Sequence, residues 1–126
     1  FDTAMRIASG FGGGMGRLRE VCGAVSGMFM AAGLLRGSSD LRDKAAKDAH
    51  YALIQELAEA FRRENGSIVC RELLGFGAAQ ADRPVSEART PEYYRKRPCA
   101  ELVAFAAGLL EEKLKERLRA ESGVGQ

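Results

Sequence analysis

Apolar residues recur along the chain at helical spacing, and no run alternates long enough to read as a strand. The spacing predicts a helix from Arg17 to about Leu35, with Leu18, Val21, Val25, Met28, Phe29, Ala32 and Leu35 on its inner side. Ahead of it, Phe1–Ser9 reads as a helix end with Ala4, Ile7 and Ala8 on one side and Gly10 as its stop. A second long helix, Leu41 to Glu64, carries Ala46, Leu53, Ile54, Leu57, Ala60 and Phe61 as its apolar stripe, with Ser39 or Asp40 as cap and Asn65-Gly66 as stop. Ser67 is placed to cap a short helix, Ile68–Leu74, that holds Cys70 in its first turn. Gly75–Ser86 has no period and reads as a loop. Thr90-Pro91 and Pro98 each mark a helix start. The helix after Pro98 runs to about Ala120 with Leu102, Val103, Ala106, Leu109, Leu110 and Leu114 inward, an i,i+4 pair from Glu111 to Lys115, and a frayed end over Ser122–Gln126. The expected fold is all-α, a compact helical bundle of about five helices with no sheet, forming a single domain over residues 1–126.

Composition agrees with that picture and narrows the function classes. A chain of 126 residues, 46% hydrophobic and without Trp, buries roughly two-thirds of its unfolded surface and needs no staples. Its formal net charge is only +2, with both signs interspersed, so no broad field exists to hold nucleic acid. The apolar run Val21–Leu35 is 15 residues long, too short to cross a bilayer, and no membrane insertion is expected. Gly23 and Gly27, four apart, share a face that lets a neighbouring backbone come close. Cys22, Cys70 and Cys99 make an odd count, which argues for reduced, cytoplasmic thiols over a closed disulfide framework.

Candidate chemistry centres on Gly10–Gly27, where a glycine loop feeds a cysteine. Five of the 15 glycines fall between Gly10 and Gly16, and so many residues that are costly to order imply a close backbone approach to something. Gly12, Gly13, Gly14 and Gly16 are the candidate cradle for a bound group. They fit neither GxGxxG nor a P-loop, so the anion they suit is a thiolate or a sulfur-ligated cluster and not a nucleotide phosphate. The three cysteines are 48 and 29 positions apart, which excludes a local CxxC pair and a finger-like zinc clip, although helix starts from distant segments can still converge. Cys70 and Cys99 fall in first turns, where unpaired N–H groups favour a thiolate; Cys22 falls further inside its helix. Tyr93-Tyr94-Arg95-Lys96-Arg97 precedes Cys99, and Arg95 or Arg97 would help keep that sulfur ionised. The lone His50 reads as solvated or core-edge, with a ligand or proton-relay role as the alternative. No isolated carboxylate pair suggests hydrolysis.

The element Phe-Gly-Gly-Gly-Met-Gly-Arg at Phe11–Arg17, followed by Glu-Val-Cys-Gly-Ala-Val-Ser-Gly at Glu20–Gly27, resembles the redox-active family named C_GCAxxG_C_C. Cys70, in Ile-Val-Cys-Arg-Glu-Leu-Leu-Gly, and Cys99, in Arg-Pro-Cys-Ala-Glu-Leu-Val, match its last two cysteines in order and setting. The resemblance implies a small, largely helical bacterial or archaeal protein with four characteristic cysteines, some members carrying selenocysteine, often encoded near transporter genes. The family's first cysteine has no counterpart here and by register would precede Phe1.

Two chemistries and one bland reading follow. In the first, Cys22, Cys70 and Cys99 converge beside the loop and exchange thiolate for disulfide with an unknown redox partner, within a transporter-associated system if the resemblance extends so far. In the second, the same three cysteines ligate a metal ion or an iron–sulfur cluster. The third is a helical interaction protein with structural cysteines. Substrate and assembly stay open, a homodimer among them.

Overall fold

The computed structural model describes residues 1–75 and 83–123, the side chains of 94–96 excepted. The described residues fold into helical segments with no strand, as the periodicity predicts. In chain order these are α1 (Asp2–Ala8), α2 (Gly12–Met15), α3 (Gly23–Arg36), α4 (Lys44–Asn65), α5 (Cys70–Leu73), α6 (Pro91–Lys96) and α7 (Cys99–Ser122).

Three long helices make the body, because only α3, α4 and α7 carry apolar stripes long enough to be covered on one side. Val25, Met28 and Ala32 from α3 meet Leu53, Leu57, Ala60 and Phe61 from α4 and Leu102, Ala106, Leu109 and Leu110 from α7. Each helix of the trio packs on the other two. Phe61 is fully enclosed and meets Phe105 edge-on, with ring centroids 5.7 Å apart. Burying a side chain of this kind contributes roughly 1.5–3 kcal/mol. In α4, Asp43 caps the start by accepting from the Ala46 N–H at 3.0 Å, and Gly66 ends it at φ 90°. The predicted caps, Ser39 and Asp40, lie earlier: Asp40 Oδ1 instead accepts from the Arg42 N–H, turning the chain before the helix begins.

The largest departure from the periodicity is at the start of α3. Arg17–Cys22 is not helical, although Leu18, Val21 and Val25 fit a helical stripe. Arg17 and Arg19 hold φ of 66° and 61°, and Val21 pairs with Val69 in an isolated antiparallel bridge. Leu18 is consequently 52% exposed. Leu35 is exposed as well, since burial along α3 ends at Ala32. Val103, expected inward, faces the cavity described below instead of the core.

Elsewhere the predicted elements stand close to their bounds. Thr90 Oγ1 accepts from the Tyr93 N–H at the start of α6, and α7 begins at Cys99 immediately after Pro98. Lys115 pairs with Glu111 at 2.8 Å. The middle of the predicted Gly75–Ser86 loop and residues 124–126 of the predicted frayed end lie outside the described residues, while Ser122 closes α7. No helix among the described residues is long and apolar enough to cross a membrane.

Candidate thiol cavity

The glycine turn is wound against the usual hand. From Gly13 to Arg17 every residue has positive φ: 65° at Gly13, 71° at Gly14, 68° at Met15, 62° at Gly16 and 66° at Arg17. For an L side chain this conformation costs roughly 1–2 kcal/mol per residue, so three glycines in five positions remove most of the penalty. The turn closes on itself through Met15 N–H to Phe11 O at 3.2 Å and Gly16 N–H to Gly12 O at 2.9 Å.

What the backbone approaches so closely is the chain itself. A Cβ built on Gly14 would lie 2.5 Å from Cys70 Cβ and 2.9 Å from Arg19 Cα, so only glycine fits there. Glu20 N–H then donates to Gly14 O at 2.9 Å. Beyond it, the Cys70 N–H donates to Glu20 O and the Cys22 N–H donates to Ile68 O at 2.8 Å, clasping the segment before α3 to the segment before α5. Ser67 secures the far side, its hydroxyl accepting from Val69 N–H at 2.9 Å and donating to Glu72 Oε2 at 2.6 Å.

This arrangement puts each cysteine at a helix start. Cys22 is the N-cap of α3 and not a residue within it, Cys70 is the first residue of α5, and Cys99 is the first residue of α7. All three line one cavity of about 320 Å³, together with Gly12, Gly13 and Gly14. Gly16 lies outside that wall. Cys22 and Cys70 are buried, Cys99 is half-buried, and all three are free thiols.

The thiols differ in their surroundings. Burial pushes the Cys22 thiol up; the backbone N–H groups of Ala24 and Val25 pull the other way, and charge on Cys70 or Cys99 would raise it further. Cys70 faces a cation instead. Arg19, only 4% exposed, donates from Nη1 to Cys70 Sγ at 3.6 Å. Its backbone is fixed in turn, because Arg19 O accepts from Arg71 N–H at 3.3 Å and from Arg71 Nη1 at 3.1 Å. Sequence reasoning missed Arg19, since helical phasing hid it among surface charges. A single signal pointed to it: it is the second arginine after an unusually dense glycine run.

The basic-aromatic segment before Cys99 also reaches the cavity. Arg97 lines it, donating to Glu87 Oε1 at 2.8 Å, with its guanidinium carbon 5.4 Å from the Tyr93 ring centroid. The side chain of Arg95, the other candidate partner of Cys99, lies outside the described residues. His50 is remote from the thiols and borders a separate pocket with Ser38, Leu41 and Tyr51.

The donor set does not make a metal cage. Among the described residues no group of three or more His, Cys, Asp or Glu side chains stands close enough to hold a metal ion.

Comparison with known proteins agrees on the segment that matters. The family model described as "Putative redox-active protein (C_GCAxxG_C_C)" matches residues 1–113. No curated protein and no solved structure matches the chain. Because the match runs from α1 through the cavity and into the second half of α7, the chain belongs to the C_GCAxxG_C_C family.

Proposed function

We propose that this protein is a dithiol oxidoreductase whose cavity cysteines exchange electrons with a disulfide substrate. The observation that carries the reading is the convergence of Cys22, Cys70 and Cys99 on one cavity, with the Arg19 guanidinium on Cys70 Sγ. Reactive cysteines sit in electropositive, partly enclosed surroundings of this type. Cys70 is the attacking sulfur, because Arg19 Nη1 lies against its Sγ and balances the charge that develops there during exchange. Cys22, kept protonated by burial, is the resolving thiol.

The exchange balances as follows. The Cys70 thiolate attacks one sulfur of a disulfide RSSR; a Cys70–SR bond forms, the substrate S–S bond breaks, and RS⁻ leaves and takes a proton from water. Cys22 then gives up its proton and attacks the Cys70 sulfur as the thiolate; a Cys22–Cys70 disulfide forms, the Cys70–SR bond breaks, and the second RS⁻ leaves and takes up that proton. The protein gives up two electrons and RSSR becomes two RSH. Cys99, the most accessible of the three, takes over the bond by exchange: its thiolate attacks the Cys70 sulfur, a Cys99–Cys70 disulfide forms, and the Cys22–Cys70 bond breaks with Cys22 leaving as the thiol. An external dithiol then supplies the two electrons that reduce the accessible disulfide. Reduced resting thiols fit a reducing compartment such as the cytoplasm.

Mapping the protein after stoichiometric oxidation tests this. The expected outcome is loss of two of the three titratable thiols and an intramolecular bond involving Cys70, with the Cys70→Ser variant forming none. Three thiols that still titrate after oxidation would sink the proposal.

A further inference from the structure

One side of the cavity is built by α3 and the start of α7, and it is apolar. Beyond the thiols, the described residues that these two helices turn toward the cavity are Gly23, Ala24, Gly27, Met30 and Val103, none with a polar side chain. On α3, Gly23, Gly27 and Met30 follow at i, i+4 and i+7, a stripe distinct from Val25, Met28 and Ala32, which the core covers. Val103 is likewise left out of the core: it is 55% exposed, although Leu102 and Ala106 on the same helix are buried. The cations of the cavity, by contrast, are engaged within the protein. Arg19 is on Cys70 Sγ at 3.6 Å, Arg97 is on Glu87 at 2.8 Å, and Arg89 lies over the Tyr93 ring at 4.5 Å.

The two glycines of this wall differ in what requires them. A Cβ on Gly23 would stand 3.2 Å from Phe11 O, so a neighbouring backbone does come close there. At Gly27 nothing lies within 4 Å, and the residue sits in ordinary helix. The close approach expected of the pair therefore holds at Gly23 alone. In the interior of a 14-residue helix glycine is the poorest choice short of proline, and at Gly27 neither backbone geometry nor packing asks for it. What its missing side chain leaves is room in the cavity. Met30 borders that room, with a flexible thioether that adapts to apolar groups of varied shape. The whole volume, about 320 Å³, is that of a small-ligand pocket.

We infer that the substrate is a small, uncharged disulfide with apolar substituents, one of which lies on Gly27, Met30 and Val103 while the sulfur next to it meets Cys70. The inference rests on the dithiol reading above and adds the substrate class. Seating a hydrocarbon group on this wall takes apolar surface of both partners out of water, which holds the molecule without any polar contact. With R apolar, RSSR takes two electrons from Cys70 and Cys22: the substrate S–S bond breaks, the Cys22–Cys70 bond forms, and two RSH leave with the two thiol protons.

The test follows the rate at which reduced protein loses free thiols with three probes. Dipropyl disulfide and bis(2-hydroxyethyl) disulfide are nearly isosteric and both neutral, differing by a methyl against a hydroxyl at each end; dithiodiglycolate is anionic. The same probes reacting with dithiothreitol supply the intrinsic reactivity of each disulfide. The expected result is a propyl-over-hydroxyethyl ratio about ten-fold above that reference. Gly27→Leu should cut the ratio three-fold or more, with a melting temperature at or above the parent's, because leucine is the better helix former and its Cβ meets nothing. Val103→Gln, at an exposed position, supplies a second variant that should cut the ratio as well, with circular dichroism as the check on folding. A propyl-over-hydroxyethyl ratio equal to the reference, or a reference-corrected preference for dithiodiglycolate, overturns the substrate class and leaves the dithiol reading standing. A raised ratio that neither variant lowers overturns the assignment to this wall. If none of the three probes oxidises the protein, the dithiol reading fails and this inference fails with it.

Discussion

Gly14 and Gly12 are two residues apart and carry opposite demands. At Gly14 the φ is 71° and a Cβ would collide with Cys70 and with the Arg19 backbone, whereas nothing lies within 4 Å of a Cβ on Gly12. Gly14→Ala is therefore expected to lose about 1–2 kcal/mol to the left-handed backbone and about 1–3 kcal/mol more to overpacking. Gly12→Ala should leave stability within about 1 kcal/mol of the parent. Urea unfolding of the two variants checks this, and equal effects would remove the close-approach account of the glycine turn. The density of glycine was legible in the sequence as a sign of close approach. Its partner was not, because a spacing pattern cannot say that the neighbour is Cys70, 56 positions further on. Nor does an arginine announce positive φ: Arg17 and Arg19 fit the helical period, which starts α3 at Arg17, whereas in the structure it starts at Gly23.

The long helices were legible because their stripes are long and the core obeys them. Leu53, Leu57, Ala60 and Phe61 on α4 are all buried as spaced, and so are Leu102, Ala106, Leu109 and Leu110 on α7. Stripe residues failed only where an element met something other than the core, as Val103 does at the cavity. Phe61→Ala should cost about 3–5 kcal/mol, since it empties the centre of the three-helix contact and strands Phe105. By contrast, Arg36→Ala removes a solvent-screened ion pair with Glu121 that links the ends of α3 and α7 at the surface, and should leave stability close to that of the parent. Chemical denaturation of both variants decides between them; a larger loss for Arg36→Ala would mean the helix ends, not the core, hold the trio together.

The molecule as a whole should report its buried thiol through pH. Burial raises Cys22 above the ordinary thiol value of about 9.0. As pH climbs through that value the unfolded chain gives up its proton before the folded one, so the unfolded state binds fewer protons and folding stability falls. The contribution is complete below the ordinary value and is lost as pH rises through the raised one. Comparing urea midpoints near pH 7 and near pH 10 should show a smaller alkaline decline for Cys22→Ser than for the parent. Identical declines would show that the Cys22 thiol has the same proton affinity folded and unfolded. Convergence of the cysteines is expected from their placement near helix starts and from the family resemblance, because separations of 48 and 29 residues carry no distance information by themselves. The bridge between Val21 and Val69 brings the first two together, and no period of apolar residues encodes a single bridge.

That bridge also makes the stretch from Gly13 to Cys22 behave as a measured length. Its ends are fixed independently, by Gly14 against Cys70 at one end and by Cys22 N–H on Ile68 O at the other, with Arg19 O held by Arg71 between them. Most surface connections absorb an inserted or deleted residue by bulging outward. Here one residue more or fewer would swing the buried guanidinium off Cys70 Sγ while leaving the three-helix core intact. In this segment, then, the chain counts residues as strictly as a helix counts turns.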